Sequence, residues 1–156
     1  MEQETQRMTS VDTIHHLVLS GGGPPMLIQS IGAIQTLVAQ RALDLSAIET
    51  ISGTSAGSIL GFLLCTRIDL EILHNYFVKR PWQRIFCSPR ESASSTGIFG
   101  FNDFKIILSP LIHFLQIPDT VTFAELRARS GIVLHVFATE LNTNTYYDMS
   151  AETHPS

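Results

Sequence analysis

Residues 48–61, which read IETISGTSAGSILG, are the stretch that decides the fold of this chain. An apolar strand, a turn of small residues and an apolar helix follow one another there without interruption. Five of these residues fit the pattern G-x-S-x-G, in which a serine occupies a sharp turn from strand to helix: Gly53, Thr54, Ser55, Ala56 and Gly57.

The spacing has a physical reason. A Cβ atom at either glycine of the pattern would collide with the neighbouring strand or helix, so the turn can be sharp only if both positions lack a side chain. The turn exposes the hydroxyl of Ser55 and places it at the amino end of the next helix, where unpaired N–H groups favour negative charge. Ser55 is therefore the candidate nucleophile. The alternative is an ordinary tight turn between a strand and a helix.

A second strand, glycine turn and helix precede the first. Residues 15–20 predict a short buried strand, Gly21, Gly22 and Gly23 follow it, and apolar residues then recur at helical spacing from residue 27 to 38. A triple glycine lets backbone N–H groups turn toward a transition-state oxyanion. A nucleotide phosphate loop is the alternative, but G-x-G-x-x-G and G-K-[ST] are both missing, and the two prolines after Gly23 occupy the first turn of the helix.

Composition limits the classes of function. A chain of 156 residues with 44% hydrophobic residues and mean hydropathy +0.19 is about one well-filled domain. We assign residues 1–14 to a polar tail and residues 15–156 to the domain. A net charge of −4, with no cluster of Lys or Arg, argues against nucleic-acid binding.

The same reading predicts no metal ion, no cofactor and a cytoplasmic location. Cys65 and Cys87 lie neither in C-x-x-C nor at metal-ligand spacing from a histidine, so both are expected to be free. Neither a signal peptide nor a transmembrane run of about 18 apolar residues is found.

The rest of the chain alternates helices, a loop and a strand. We predict a helix from Asp69 to the residue before Pro81, a long loop over 81–100, and an apolar helical segment over 99–117 that Pro110 breaks. This apolar segment is either core or interface, or it forms a wall of an acyl-chain channel or a contact with lipid.

The carboxyl-terminal third predicts a short helix and a buried strand. Thr122 and Glu125 form a capping box, the helix stops at Gly131, and residues 132–139 form the strand. His135 within this strand, like His74 in the helix from Asp69, is interpreted as a structural rather than a catalytic histidine.

In this order, strand-GGG-helix, strand-GTSAG-helix and a strand running into residues 138–143 (ATELNT) resemble the amino-terminal part of a patatin-like phospholipase domain. The resemblance covers about residues 15–149. It implies a three-layer α/β sandwich with a mostly parallel sheet that is incomplete at its carboxyl end. It also implies hydrolysis of acyl esters of phospholipids or related lipids by a Ser-Asp dyad without a catalytic histidine. A lipid substrate and peripheral contact with a membrane would follow; the oligomeric state stays open.

Two features depart from the family pattern. Pro25 and Met26 stand where family members usually carry a basic residue and a glycine after the triple glycine. The glycine that follows, Gly32, is displaced by one residue from its position in the family pattern. In addition, none of the aspartates at positions 12, 44, 69, 103, 119 and 148 is followed by Gly or Ala, as the family's dyad aspartate is. The sequence thus ends before the expected base, for which Asp148 is the substitute that we consider.

Three hypotheses follow. In the first, Ser55 attacks the ester carbonyl while N–H groups of Gly22, Gly23 and Ala56 hold the oxyanion. In the second, a histidine completes a triad, although only His154 follows an acidic residue in the required chain order. In the third, the chain is a truncated, non-catalytic protein that binds lipid or a partner. The half-domain should also be fragile, because its sheet is expected to stop at the strand from Ile132 and leave an apolar edge.

Overall fold

The computed structural model describes residues 13–80, residue 82 and residues 101–156. The predicted loop over 81–100 therefore lies outside the described residues, except for Trp82, as do residues 1–12 of the polar tail. Along the chain the elements are β1 (His16–Leu19), α1 (Gly23–Ala39), a 3₁₀ turn (Leu45–Ala47), β2 (Thr50–Thr54), α2 (Ala56–Cys65), α3 (Leu70–Lys79), α4 (Phe101–Phe114), α5 (Phe123–Ser130), β3 (Val133–Glu140) and β4 (Thr145–Met149).

The described strands form one sheet in the order β1-β2-β3-β4. The first three strands are parallel, and β4 pairs antiparallel with β3. The register places Leu19 beside Gly53 and Gly53 beside Val136, so the carboxyl ends of the parallel strands meet at one edge of the sheet. The predicted α/β fold with a mostly parallel sheet is confirmed. The prediction that the sheet stops at the strand from Ile132 is wrong, because the hairpin adds β4 to the outer side of β3.

Helix α2 is the central helix of the core. It packs against β1, β2 and β3 as well as against α1 and α5, and α3 packs against α1. The close contact between α2 and the sheet depends on Gly61. An added Cβ there would lie 2.8 Å from Leu134 Cδ1 on β3 and 3.0 Å from Ile51 Cγ2 on β2. Leu60 and Leu63, which fill the space between sheet and outer helices, are at most 1% exposed. The all-apolar pattern of this helix thus arises because it has neighbours on every side.

The other face of the sheet is open within the described residues. Val18 is 84% exposed, Tyr146 is 75% exposed and Phe137 is 37% exposed, although each lies within a strand. The described part of the chain therefore forms two layers of the predicted three, namely the sheet and the helices on one face. It also follows that β3 is buried only in its first half, at Val133 and Leu134, rather than along its whole length as predicted.

Helix α4 continues through Pro110, which the sequence predicted to break it. A proline inside a helix leaves the carbonyl four residues earlier without its N–H partner, and here that carbonyl belongs to Ile106. The guanidinium of Arg80 donates a hydrogen bond to this oxygen at 2.6 Å. Because the side chain of Arg80, the residue after α3, satisfies the carbonyl, the helix runs on to Phe114.

The predicted helix ends are confirmed. Asp69 accepts hydrogen bonds from the N–H groups of Glu71 and Ile72 at the start of α3. Thr122 and Glu125 form the capping box of α5, and Gly131 ends that helix with φ 75°. None of the described helices is long and apolar enough to cross a lipid bilayer.

Candidate active site

Ser55 joins β2 to α2 in an unusual backbone conformation, with φ 51° and ψ −122°. A non-glycine residue with positive φ outside the left-handed helical region is strained by roughly 1–3 kcal/mol, and such strain persists only where the surroundings hold it. The Ser55 carbonyl is held by the backbone N–H of Ser58 at 3.0 Å and by the Ser58 hydroxyl at 2.6 Å. The turn therefore fixes Ser55 at the carboxyl end of β2.

Both glycines of the predicted pattern are required by close approach of the backbone. A Cβ at Gly53 would lie 2.7 Å from the carbonyl carbon and oxygen of Gly57. A Cβ at Gly57 would lie 2.1 Å from the carbonyl oxygen of Leu19. The structure thus agrees with the collision expected at both positions. Thr54 is the exposed last residue of β2, and Ala56 is the buried first residue of α2.

The triple glycine lies directly beside Ser55. A Cβ at Gly21 would be 3.1 Å from Ser55 Cβ. Gly22 and Gly23 have φ 148° and φ 67°, which favour glycine, and Gly23 begins α1. The amino ends of α1 and α2 therefore converge on Ser55. Ala56, as the first residue of α2, has an N–H with no acceptor within its own helix, and helix amino ends favour negative charge.

Two prolines at the first turn of α1 are compatible with this arrangement. Proline lacks the N–H that would be unpaired there and its fixed φ suits a helix start. Because α1 begins at Gly23, Pro24 and Pro25 lie in its first turn, as the sequence predicts. Met26, which stands at the departure from the family pattern, packs against Gly22, where a Cβ would lie 2.7 Å from Met26 Cβ.

An apolar cavity of about 70 Å³ opens beside Ser55, and we call it the Ser55 pocket. Its mouth is formed by the starts of the two helices: Gly23, Pro24, Ser55 and Ala56. Its sides are Leu27 and Ile28 of α1 and Ile59 of α2. The remaining described wall is contributed by Phe77, Trp82 and Ile107. A hydroxyl at the mouth of an apolar cavity is an arrangement suited to a substrate with a polar head and an apolar chain.

Among the described residues, no carboxylate or imidazole forms a hydrogen bond with the Ser55 hydroxyl. Asp148, the substitute base considered from the sequence, lies on β4, where it is the register partner of Phe137 on β3. Its carboxylate oxygens are 2.9 and 3.0 Å from His135 Nδ1. Two strand spacings of about 4.8 Å separate β4 from β2. Asp148 is thus engaged by His135 on the open face of the sheet and is not brought to Ser55.

Two further histidines considered from the sequence, His74 and His154, form no hydrogen bond with Ser55 among the described residues. His74 is exposed on α3. His154 follows β4, where its Nδ1 lies 3.1 Å from Thr153 Oγ1 and its ring meets the edge of Tyr147. A triad built on His154 thus has no hydrogen bond to Ser55 in the described part of the chain.

The described residues hold no group of three or more His, Cys, Asp and Glu side chains that could bind a metal ion. Cys65 is a free cysteine, 1% exposed. Its burial raises the pKa of the thiol to about 12, although the positive charge of Arg67 and a hydrogen bond with Ser130 act in the opposite direction. It is a core residue without thiolate character near neutral pH. Cys87 lies outside the described residues.

Sequence reasoning missed Trp82 as a wall of the pocket. The sequence did contain a signal for it. A single tryptophan shortly after a helix, within a turn-rich segment, is a large apolar side chain that is expected to be at least partly buried. Phe77 lies in the helix predicted from Asp69, and Ile107 lies in the apolar segment for which a channel wall is one of the alternatives. What the periodicity could not show is that all three residues meet at one cavity.

The family model described as Patatin-like phospholipase matches residues 17–156. A comparison with the curated proteins gave no match. Among solved structures, the type III effector protein ExoU is similar, with a TM-score of 0.57 and 19% identity over 90% of this chain and 36% of that chain. VipD from Legionella pneumophila is similar with a TM-score of 0.58 and 17% identity over 90% of this chain and 40% of its own.

A third structure, the heterodimeric ExoU-SpcU complex from the type III secretion system of Pseudomonas aeruginosa, gives a TM-score of 0.57 and 18% identity over 92% of this chain and 34% of that chain. At these identities the three structures show a common fold. The chain spans about two fifths or less of the length of each of them. With the family model matching all but the first 16 residues, the chain belongs to the patatin-like phospholipase family.

Proposed function

We propose that this chain carries the nucleophile half of a lipid acyl hydrolase, with Ser55 as the nucleophile. The observation that carries the proposal is the position of Ser55, in a strained turn at the mouth of an apolar pocket and between the amino ends of two helices. Members of its family hydrolyse acyl esters of lipids. An acyl ester has an apolar chain that suits the pocket and a polar carbonyl that suits the helix amino ends.

The proposed reaction has two steps. Ser55 Oγ attacks the carbonyl carbon of the ester, the C–O bond to the alcohol breaks, and the alcohol leaves with a proton. Water then attacks the acyl-serine ester and releases the fatty acid. N–H groups of Gly22, Gly23 and Ala56 are the donors that we assign to the developing oxyanion, because they lie on the glycine loop and helix start that border Ser55.

The reaction requires a group that accepts the proton of Ser55. The described residues place none there, so the proposal assigns this role to a group outside them. Removing one member of a nucleophile and base pair can lower kcat by several orders of magnitude. We therefore expect residues 1–156 alone to turn over lipid esters slowly.

A second candidate rests on the same observation. A chain that retains the fold and the apolar pocket but lacks a base at Ser55 would bind lipid, or a partner protein, without hydrolysing it. The two candidates differ in whether the Ser55 hydroxyl reacts.

An alkyl fluorophosphonate probe distinguishes them, because the probe forms a covalent bond only with an activated serine. Because the described residues place no base at Ser55, we expect slow labelling of the wild-type chain, none of Ser55→Ala, and the same slow labelling of Ser52→Ala, a matched control three residues earlier on β2. Peptide mass spectrometry locates the label. If the wild-type chain stays unlabelled while it still binds fatty acid, the non-catalytic candidate is correct. Labelling of Ser55→Ala at the wild-type rate would refute the assignment of the nucleophile.

A further inference from the structure

Away from Ser55, the described part of the Ser55 pocket has a wall of aromatic and aliphatic side chains. The rings of Phe77 and Trp82 are stacked, with centroids 5.4 Å apart and planes inclined by 10°. The indole N–H of Trp82 donates a hydrogen bond to the Phe77 carbonyl. Ile107 of α4, which is 7% exposed, completes the wall. We call these three residues the pocket wall.

Polar contacts behind the pocket wall hold it in place. The guanidinium of Arg80 lies 4.9 Å from the ring centroid of Tyr76 and 5.6 Å from that of Trp82. Arg80 also donates hydrogen bonds to Tyr76 Oη and to the Ile106 carbonyl. The Tyr76 hydroxyl in turn donates to the Ile107 carbonyl at 2.6 Å. Moving Trp82 or Ile107 outward would break several of these contacts together, so the wall is fixed rather than adjustable.

The size of the pocket limits what can enter. A pocket of about 70 Å³ is much smaller than a long acyl chain. A long acyl chain would extend beyond the space that the wall encloses.

We propose that the pocket wall makes this site selective for short acyl chains, and that Trp82 and Ile107 are its specificity-determining residues. The proposal rests on the proposed function in one respect, since it takes the Ser55 pocket as the site of the acyl chain. The substrate class is then an ester with a short acyl chain that the pocket can enclose.

Binding can be measured without catalysis, because Trp82 is the only tryptophan of the chain. Its fluorescence is expected to change as butanoic, hexanoic, octanoic, dodecanoic and hexadecanoic acids are titrated into the Ser55→Ala chain below their micelle concentrations. Each methylene that enters the pocket should tighten binding by up to about fourfold. The gain should stop once the pocket is full, well before hexadecanoic acid.

Two neighbouring residues of α4 give a matched pair of variants. Ile107 faces the Ser55 pocket, whereas Leu108 lines a separate cavity together with Phe62 and Val121. Both changes to alanine remove a similar apolar volume and keep Trp82 as the reporter. Ile107→Ala removes three side-chain carbons from the wall, so the gain in affinity should continue for about two to three more carbons of the acyl chain. Leu108→Ala should leave the chain length at which the gain stops unchanged.

Trp82→Ala extends the test to the reaction. Labelling by a long-chain alkyl fluorophosphonate should rise several-fold relative to a short-chain one, whereas Trp82→Phe, which keeps an aromatic wall, should retain most of the short-chain preference. The proposal is overturned if wild-type affinity keeps rising to hexadecanoic acid, if Ile107→Ala and Leu108→Ala behave alike, or if Trp82 fluorescence does not respond. Failure of Ser55 to label, with the chain-length limit in binding intact, would refute the proposed function and leave the pocket selectivity standing.

Discussion

Gly57→Ala tests whether the approach of α2 to β1 holds the Ser55 turn in place. The new Cβ would lie 2.1 Å from the Leu19 carbonyl oxygen, 2.5 Å from its carbon and 2.8 Å from the Ser20 carbonyl oxygen. All three are backbone atoms, so no change of rotamer can relieve the contact. The helix would have to move by more than about 1 Å to reach an ordinary van der Waals distance.

The expected loss of stability can be estimated. Overpacking costs about 1–3 kcal/mol, and occasionally more, and a contact with rigid backbone belongs at the upper end. Alanine in place of a helical glycine returns about 0.5–1 kcal/mol. We therefore expect a net loss of about 2 kcal/mol or more in the free energy of unfolding. With a urea m-value of about 2 kcal/mol per molar, the unfolding midpoint should fall by roughly 1 M.

Gly32→Ala is the matched control, because Gly32 is also a helical glycine but an added Cβ meets nothing within 4 Å. This variant should gain about 0.5–1 kcal/mol from the reduced freedom of the unfolded chain. The assay is urea unfolding followed by far-UV circular dichroism on both variants and the wild type. Equal midpoints for Gly57→Ala and Gly32→Ala, with unchanged m-values, would refute the role of the close approach.

Three further predictions concern single side chains. Ser55→Gly should be more stable to urea than Ser55→Ala by about 1–2 kcal/mol, because glycine accepts φ 51° without strain; equal midpoints would contradict this. Hydrogen bonds from Thr143 hold the pKa of Glu140 at about 2, so this carboxylate stabilises the β3–β4 turn above pH 4.5, and the contribution is lost as the pH falls toward 2; Glu140→Gln should lower the melting temperature at pH 6 but not at pH 2. Finally, in a Cys87→Ser background Cys65 should not react with a thiol reagent at pH 8 in the folded protein, and reaction at the rate of the urea-unfolded chain would contradict its burial.

The sequence alone was sufficient for the features that depend on neighbours along the chain. The turn at Ser55 needs glycine at Gly53, where an added Cβ would meet the backbone of Gly57 four residues later, so its place between a strand and a helix could be predicted. The helix ends at Asp69 and Gly131 follow equally local rules, since a side chain or a left-handed glycine satisfies backbone groups within one turn.

Tertiary structure decided the features that join residues distant in sequence. Pro110 ends a helix by the local rule, and the helix continues because Arg80, 26 residues before the carbonyl it satisfies, donates the missing hydrogen bond. His135 and Asp148 form a pair only because the hairpin brings β4 beside β3. Likewise, Phe77, Trp82 and Ile107 become a wall of one pocket because three segments converge there. Sequence patterns report which face of an element is apolar, whereas the partner of that face is fixed by how the elements pack.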